Sequence, residues 1–118
     1  MEIKAVLEGR GFRPNFLVKS VLHKNMGWAL LELRDYEQAE IQLNAAIALL
    51  GDRAAAYCLL GRVREAKQDN RGALRAWRNC LRYASKEKYQ PEVENWLMEA
   101  KKRLEIEGND GVTITQKP

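Results

Sequence analysis

The sequence predicts an all-α protein, and three observations support that prediction. Apolar residues recur at the spacing of one helix face in successive segments from residue 20 onward. Strand-like alternation is confined to residues 112–115, which are too few to hold a strand by themselves. The 118 residues are 46% hydrophobic and 31% charged, with 3 prolines, so one domain with a buried core is expected.

Four apolar stripes at helical spacing predict four helices in the middle of the chain. The breaks between them fall at Arg34-Asp35, at Gly51-Asp52 and at Asp69-Asn70, with Gly51 as a helix stop and Asp52 as an N-cap. In chain order the stripes are Leu22, Met26, Ala29, Leu30 and Leu33; Tyr36, Ala39, Leu43, Ala46, Ile47 and Leu50; Ala56, Leu59, Leu60, Val63 and Ala66; Ala73, Trp77, Cys80, Leu81 and Ala84. We expect each stripe to form the buried face of its helix.

Further helices are predicted near both ends of the chain. Residues 2–8 form a short helix, and Gly9, Gly11 and Pro14 place a loop after it. Pro91 suits the first turn of a last helix, which the apolar spacing continues to Leu104. Residues 108–118 are polar and are expected to form a mobile tail.

Composition and motifs exclude several classes of protein. No apolar run is long enough to span a membrane, and the first residues lack the pattern of a secretory signal. Two cysteines do not make a disulfide scaffold, and the single histidine, His23, argues against a histidine metal site. No phosphate-binding loop, metal-spaced cluster or nucleophile–base pair is present. We therefore expect a cytoplasmic protein that is not an enzyme and needs neither cofactor nor metal.

The chain repeats itself with a period of 34 residues. That shift aligns Gly27 with Gly61, and it aligns Ala39 and Ala46 with Ala73 and Cys80. Small residues recurring in this way are typical of the tetratricopeptide repeat, and residues 20–53 and 54–87 resemble two copies of it.

The resemblance implies an organisation for the whole chain. Helix-turn-helix repeats would form a short right-handed solenoid, in which residues 88–107 are a C-terminal capping helix. Residues 1–19 would be an N-terminal helix and loop, and that helix can also be interpreted as part of a degenerate earlier repeat. Residues 108–118 remain a tail.

The resemblance also implies a concave groove that binds a segment of another protein. In this family the first helix of each pair lines the groove through its second, fifth, ninth and twelfth places. At these places the chain has Val21, Lys24, Trp28 and Leu31 in the first copy, and Ala55, Cys58, Arg62 and Glu65 in the second. Of these, Val21, Lys24, Trp28, Leu31, Cys58, Arg62 and Glu65 are the candidate binding residues. A tryptophan between two cations suits a peptide with apolar and acidic groups, whereas the alternative is that Trp28 packs against the N-terminal segment.

A second hypothesis rests on four arginines at one helical spacing, Arg71, Arg75, Arg78 and Arg82. Residues 54–87 hold eight Lys and Arg against three Asp and Glu, a net charge of +5. Such a stripe can bind phosphates or an acidic protein, and the alternative is an ordinary solvated helix face. No aromatic residues interleave with the arginines, as binding of a single strand would need, so a nucleic acid is disfavoured as the partner.

Three smaller questions stay open at this point. Cys58 and Cys80 are either a redox pair or two small residues packed between helices. The second interpretation is favoured because Cys80 occupies the twenty-seventh place of its repeat, where a small buried residue is usual. His23 is interpreted as a packing residue rather than a catalytic one. Self-association is a third partner hypothesis, because fewer than three repeats bury little surface.

Overall fold

The computed structural model describes residues 14–87 and 91–105. All regular structure within these residues is helical, as the apolar spacing predicts. The five helices are α1 (Pro14–Glu32), α2 (Tyr36–Leu49), α3 (Ala54–Ala66), α4 (Asn70–Ala84) and α5 (Pro91–Leu104). The helix predicted over residues 2–8 and the tail over residues 108–118 lie outside the described residues.

The turn between the helices of each pair recurs after 34 residues. Arg34 and Gln68 end their helices in the left-handed region, with φ of 65° and 63°. The following residues, Asp35 and Asp69, are N-caps of α2 and α4, and the Asp69 carboxylate accepts a hydrogen bond of 3.0 Å from the Gly72 amide. This side-chain acceptor satisfies an amide that would otherwise lack a partner at the start of a helix.

Glycines set how closely the helices of each pair approach. A Cβ on Gly27 of α1 would lie 2.7 Å from the Leu43 side chain of α2. A Cβ on Gly61 of α3 would lie 2.6 Å from the Trp77 ring of α4. The 34-residue repeat of glycine thus corresponds to two equivalent helix crossings, in each of which a large side chain covers the glycine.

The core runs through α2, α3, α4 and α5. Trp77, Leu43, Leu59 and Val63 are the largest apolar side chains with no exposed surface. The buried apolar residues of these four helices are Ala39, Leu43, Ala46, Ala54, Ala56, Cys58, Leu59, Leu60, Val63, Ala73, Ala76, Trp77, Cys80, Ala84, Val93, Trp96 and Ala100. The stripes predicted for α2, α3 and α4, together with one face of α5, therefore supply the core, except that Ala66 is exposed.

Most of the stripe predicted to be the buried face of α1 is instead exposed, although Leu30 is half-buried and packs against the core. Leu22, Met26 and Leu33 expose 60%, 51% and 75% of their surface. The face of α1 that meets α2 contains Gly27 and Ser20, whose buried hydroxyl donates a 2.9 Å hydrogen bond to a backbone carbonyl of α2. The prediction was wrong because small size, rather than hydrophobicity, selects the face on which two helix backbones approach.

Two helix starts differ from the prediction. α1 begins at Pro14, inside the segment expected to be a loop through residue 19, and proline is well suited to the first helical turn. The N-cap of α3 is Arg53 rather than Asp52, and its side chain makes no capping hydrogen bond. Glu87, which follows α4, accepts a 2.6 Å hydrogen bond from the Ala54 amide in its place.

A disulfide joins α3 to α4. Cys58 and Cys80 are bonded with their Cα atoms 4.9 Å apart, and neither residue has exposed surface. The favoured interpretation of two unbonded packing residues was therefore wrong, although both do lie in the core. Their separation of 22 residues carries no signal of pairing, because the antiparallel packing of the two helices is what brings them together.

Candidate partner-binding groove

A cavity of about 460 Å³ lies between α1, α3 and α5. It is lined by apolar side chains together with charged side chains of both signs. The lining residues are Leu17, Ser20, Val21, Lys24, Trp28, Arg53, Ala55, Ala56, Arg62, Glu87, Glu92, Val93, Asn95, Trp96 and Glu99. We call this cavity the groove. Its size lies within the usual range for small-ligand sites, roughly 300–1,000 Å³.

Two tryptophans form the aromatic part of the groove. Trp28 of α1 and Trp96 of α5 are in edge-to-face contact, with ring centroids 6.0 Å apart and planes at 64°. Trp28 is 39% exposed, whereas Trp96 is 7% exposed. The Lys24 ammonium lies 5.8 Å from the Trp28 ring centroid. Trp28 can therefore contact a bound molecule directly, while Trp96 supports it from the core side.

Arg62 reaches the groove but already has partners. Its guanidinium donates hydrogen bonds of 2.7 and 3.2 Å to the two carboxylate oxygens of Glu99 and lies 4.8 Å from the Trp96 ring centroid. Burial tends to raise the pKa of Glu99, but hydrogen bonds and charge attraction from Arg62 and Arg103 outweigh burial and lower it. Arg62 therefore holds α3 against α5 and is not a free cation.

The seven groove residues expected from the sequence are placed in different environments. Val21, Lys24, Trp28 and Arg62 line the groove. Leu31 is half-buried and packs against the core.

Cys58 and Glu65 are absent from the groove lining. Placing Cys58 in the groove was wrong, because its sulfur is in the buried disulfide. Glu65 accepts hydrogen bonds of 2.9 Å from the Trp77 indole and 2.8 Å from the Arg103 guanidinium. Its carboxylate thus fastens α3 to α4 and α5.

The sequence did not lead us to expect that α5 contributes to the groove. From the resemblance, residues 88–107 are expected only to cap the repeats. Glu92, Trp96 and Glu99 instead line the groove. Their spacing of four and three residues places them on one face of α5, and that spacing was the available signal.

The four arginines of the second hypothesis lie together on α4 and point to solvent. Arg71, Arg75, Arg78 and Arg82 are all exposed. None of the four forms an ion pair with another residue in the described part of the chain. The opposite side of α4 is buried.

His23, the one histidine, makes a structural contact. Its Nδ1 lies 2.7 Å from the Gln42 Oε1 atom and joins α1 to α2. Among the described residues, no three His, Cys, Asp or Glu side chains are arranged to hold a metal ion. No described helix is long and apolar enough to cross a membrane.

Comparison with known proteins adds no relative. No protein-family model, curated protein or solved structure matches this chain. The case for function therefore depends on the groove and on the arginine-bearing face of α4.

Proposed function

We propose that this protein is a non-catalytic adaptor that binds an extended segment of another protein in the groove. The observation that carries the proposal is the exposed Trp28 beside a cavity of about 460 Å³. Tryptophan in a partly desolvated pocket is the residue type that most often dominates binding energy at protein interfaces. In this proposal the helix pairs are tetratricopeptide-like repeats of a right-handed solenoid, which the recurring turn and glycine crossings support.

The groove favours a partner with an apolar side chain next to a carboxylate. The apolar side chain would pack on Trp28 and Val21, both 39% exposed. Lys24 makes no ion pair with any other described residue, so its ammonium is available to the carboxylate. Arg62 would shape the groove through its pairing with Glu99 rather than bind the partner.

Peptide selection tests this proposal. A random peptide library is selected on the 118-residue protein, and the affinity of the enriched peptides is measured for Trp28→Ala and Lys24→Glu. We expect enrichment of apolar–acidic sequences and a loss of about tenfold or more for each variant, roughly 1.4 kcal/mol or more.

Leu74→Ala is the matched control, because Leu74 is also 39% exposed but lies on α4. Circular dichroism verifies that each variant keeps its helices. Peptides that bind all four proteins equally would show that the groove is not the binding site.

A second candidate function is anion binding by the arginines of α4. The specific observation in its favour is that Arg71, Arg75, Arg78 and Arg82 are exposed and without ion pairs in the described part of the chain. Four unneutralised guanidinium groups on one helix face attract phosphates or an acidic protein surface.

Charge reversal tests the second candidate. We expect Arg75→Glu/Arg78→Glu to lower affinity for a duplex oligonucleotide and to flatten its dependence on salt, since fewer counterions are released. Lys86→Glu/Lys102→Glu makes the same change in net charge at other exposed sites. Equal losses in both variants would indicate general charge attraction and not a site on α4.

A cytoplasmic location stays a prediction. The Cys58–Cys80 disulfide is an argument against this location, because disulfides persist in oxidising compartments and are rare in the cytosol.

A further inference from the structure

The exposed face of α1, together with Leu33 directly after the helix, carries a stripe of apolar side chains. Val18, Leu22, Met26 and Leu33 expose 54%, 60%, 51% and 75% of their surface, and Ala29 between them is also exposed. At the helical rise of about 1.5 Å per residue, the stripe is roughly 22 Å long. We call these five residues the α1 stripe. Contiguous apolar patches of this kind mark interaction sites in soluble proteins.

Three of the five stripe positions have buried equivalents in the second helix pair, whereas the equivalents of Val18 and Leu33 are the exposed Asp52 and Lys67. The residues 34 positions after Leu22, Met26 and Ala29 are Ala56, Leu60 and Val63, which are 3%, 3% and 0% exposed. They lie on the side of α3 opposite Gly61, and α3 has a preceding helix pair, α1 and α2, to pack against. The α1 stripe lies opposite Gly27 in the same way but has no helix pair before it among the described residues. It therefore has the form of a packing face that lacks its neighbour.

We propose that a second copy of this chain covers the α1 stripe, with the two α1 helices packed antiparallel. A segment of chain that precedes residue 14 is the alternative occupant of the stripe, and a protein that stays monomeric would favour it.

The stripe is complementary to itself in the antiparallel arrangement. Alignment about residues 25 and 26 sets Val18 against Leu33 and Leu22 against Ala29 of the second copy, so apolar residues meet on both sides of the centre, where Met26 packs beside Asn25. The flanking charges, Lys19 and Glu32, are 13 positions apart. The two Lys19 side chains are then about 20 Å apart along the helix axis, so like charges do not face each other.

Head-to-tail stacking of copies, with α1 of one copy against α5 of the next, suits this chain less well. The outer side of α5, which would have to meet the α1 stripe, exposes Glu94, Lys102 and Glu105 around Met98. Stacking would bury these charges against apolar side chains that offer them no partner. A two-fold symmetric pair buries apolar surface on both sides and closes as a dimer, the commonest symmetry of soluble oligomers.

Sedimentation of the 118-residue protein tests the proposal. Over about 1 to 300 µM we expect a monomer–dimer equilibrium, because an interface of one helix per copy is at the small end of protein interfaces, where binding is weak. Leu22→Glu/Met26→Glu should weaken dimerisation at least tenfold with an unchanged circular dichroism spectrum, since both side chains are exposed in the monomer. Ile41→Glu is the matched control, because Ile41 is 55% exposed on α2, outside the stripe, and should leave the equilibrium unchanged.

Several results would overturn the proposal. A monomer at the highest concentration would do so, and so would growth beyond a dimer or a dimer that persists in Leu22→Glu/Met26→Glu. Spin labels on Asn25→Cys and Lys19→Cys test the direction of packing, since both native cysteines are in the disulfide. Antiparallel packing gives a short distance at position 25 and a longer one at position 19, whereas two equally short distances would mean parallel packing.

Discussion

Single side chains hold α5 in place and thereby form the groove. Glu99 accepts hydrogen bonds from Arg62 and lies 3.2 Å from the Arg103 guanidinium, so its carboxylate joins α3 to α5. The Arg103 guanidinium also lies 5.0 Å from the Trp77 ring centroid. Such charge-assisted and planar contacts fix geometry more strongly than neutral hydrogen bonds do. The position of Trp96 against Trp28 depends on them.

Glu99 makes the stability of the fold sensitive to acid. Its pKa in the folded protein is lowered from 4.5, so its contribution is present above that value and is lost as pH falls through the folded pKa. We expect Glu99→Gln to cost about 1 kcal/mol at pH 7 and much less at pH 3. Urea unfolding of both proteins at the two pH values measures this difference.

Glu94→Gln is the control for this prediction, because Glu94 is an exposed carboxylate of the same helix without an ion pair in the described part of the chain. It should leave stability nearly unchanged at both pH values. A Glu99→Gln cost that is the same at pH 7 and pH 3 would contradict a role for the carboxylate charge.

At the scale of the elements, α3 and α4 form the most strongly constrained helix pair. Gly61 lies directly under the Trp77 ring, and the Cys58–Cys80 disulfide connects the same two helices. The pair α1–α2 has an equivalent glycine crossing but no covalent link among the described residues. We therefore expect α1–α2 to open before α3–α4 when the protein is destabilised.

The disulfide should contribute substantially to stability. A cross-link that closes a loop of about 20 residues stabilises a fold by about 3 kcal/mol, mainly by restricting the unfolded chain. Cys58→Ala/Cys80→Ala should lower the free energy of unfolding by that amount in urea titration, with helical content retained. Since both sulfurs are buried, a reductant should open the bond slowly in the native protein and rapidly in urea. Equal stability of the two proteins, or equally fast reduction in both conditions, would contradict this.

At the scale of the whole molecule, the two ends differ in character. The outer face of α1 is apolar, while the outer face of α5 is charged. The groove between α1, α3 and α5 is a third surface, and the arginines of α4 form a fourth. The adaptor proposal and the dimer proposal use different sides of α1, so either can fail without the other.

The sequence by itself determined the helices and their repeat. These predictions rest on local or periodic features: the helical spacing of apolar residues, the turns at Asp35 and Asp69, and the glycines 34 residues apart. The backbone follows such features because neighbouring residues impose them.

Only the tertiary structure decided which faces are buried and what lines the groove. The Cys58–Cys80 bond, the exposed side of α1 and the contact of Trp96 with Trp28 each join segments far apart in the chain or depend on a neighbour being present. A local pattern cannot specify such contacts, because they follow from how whole helices pack.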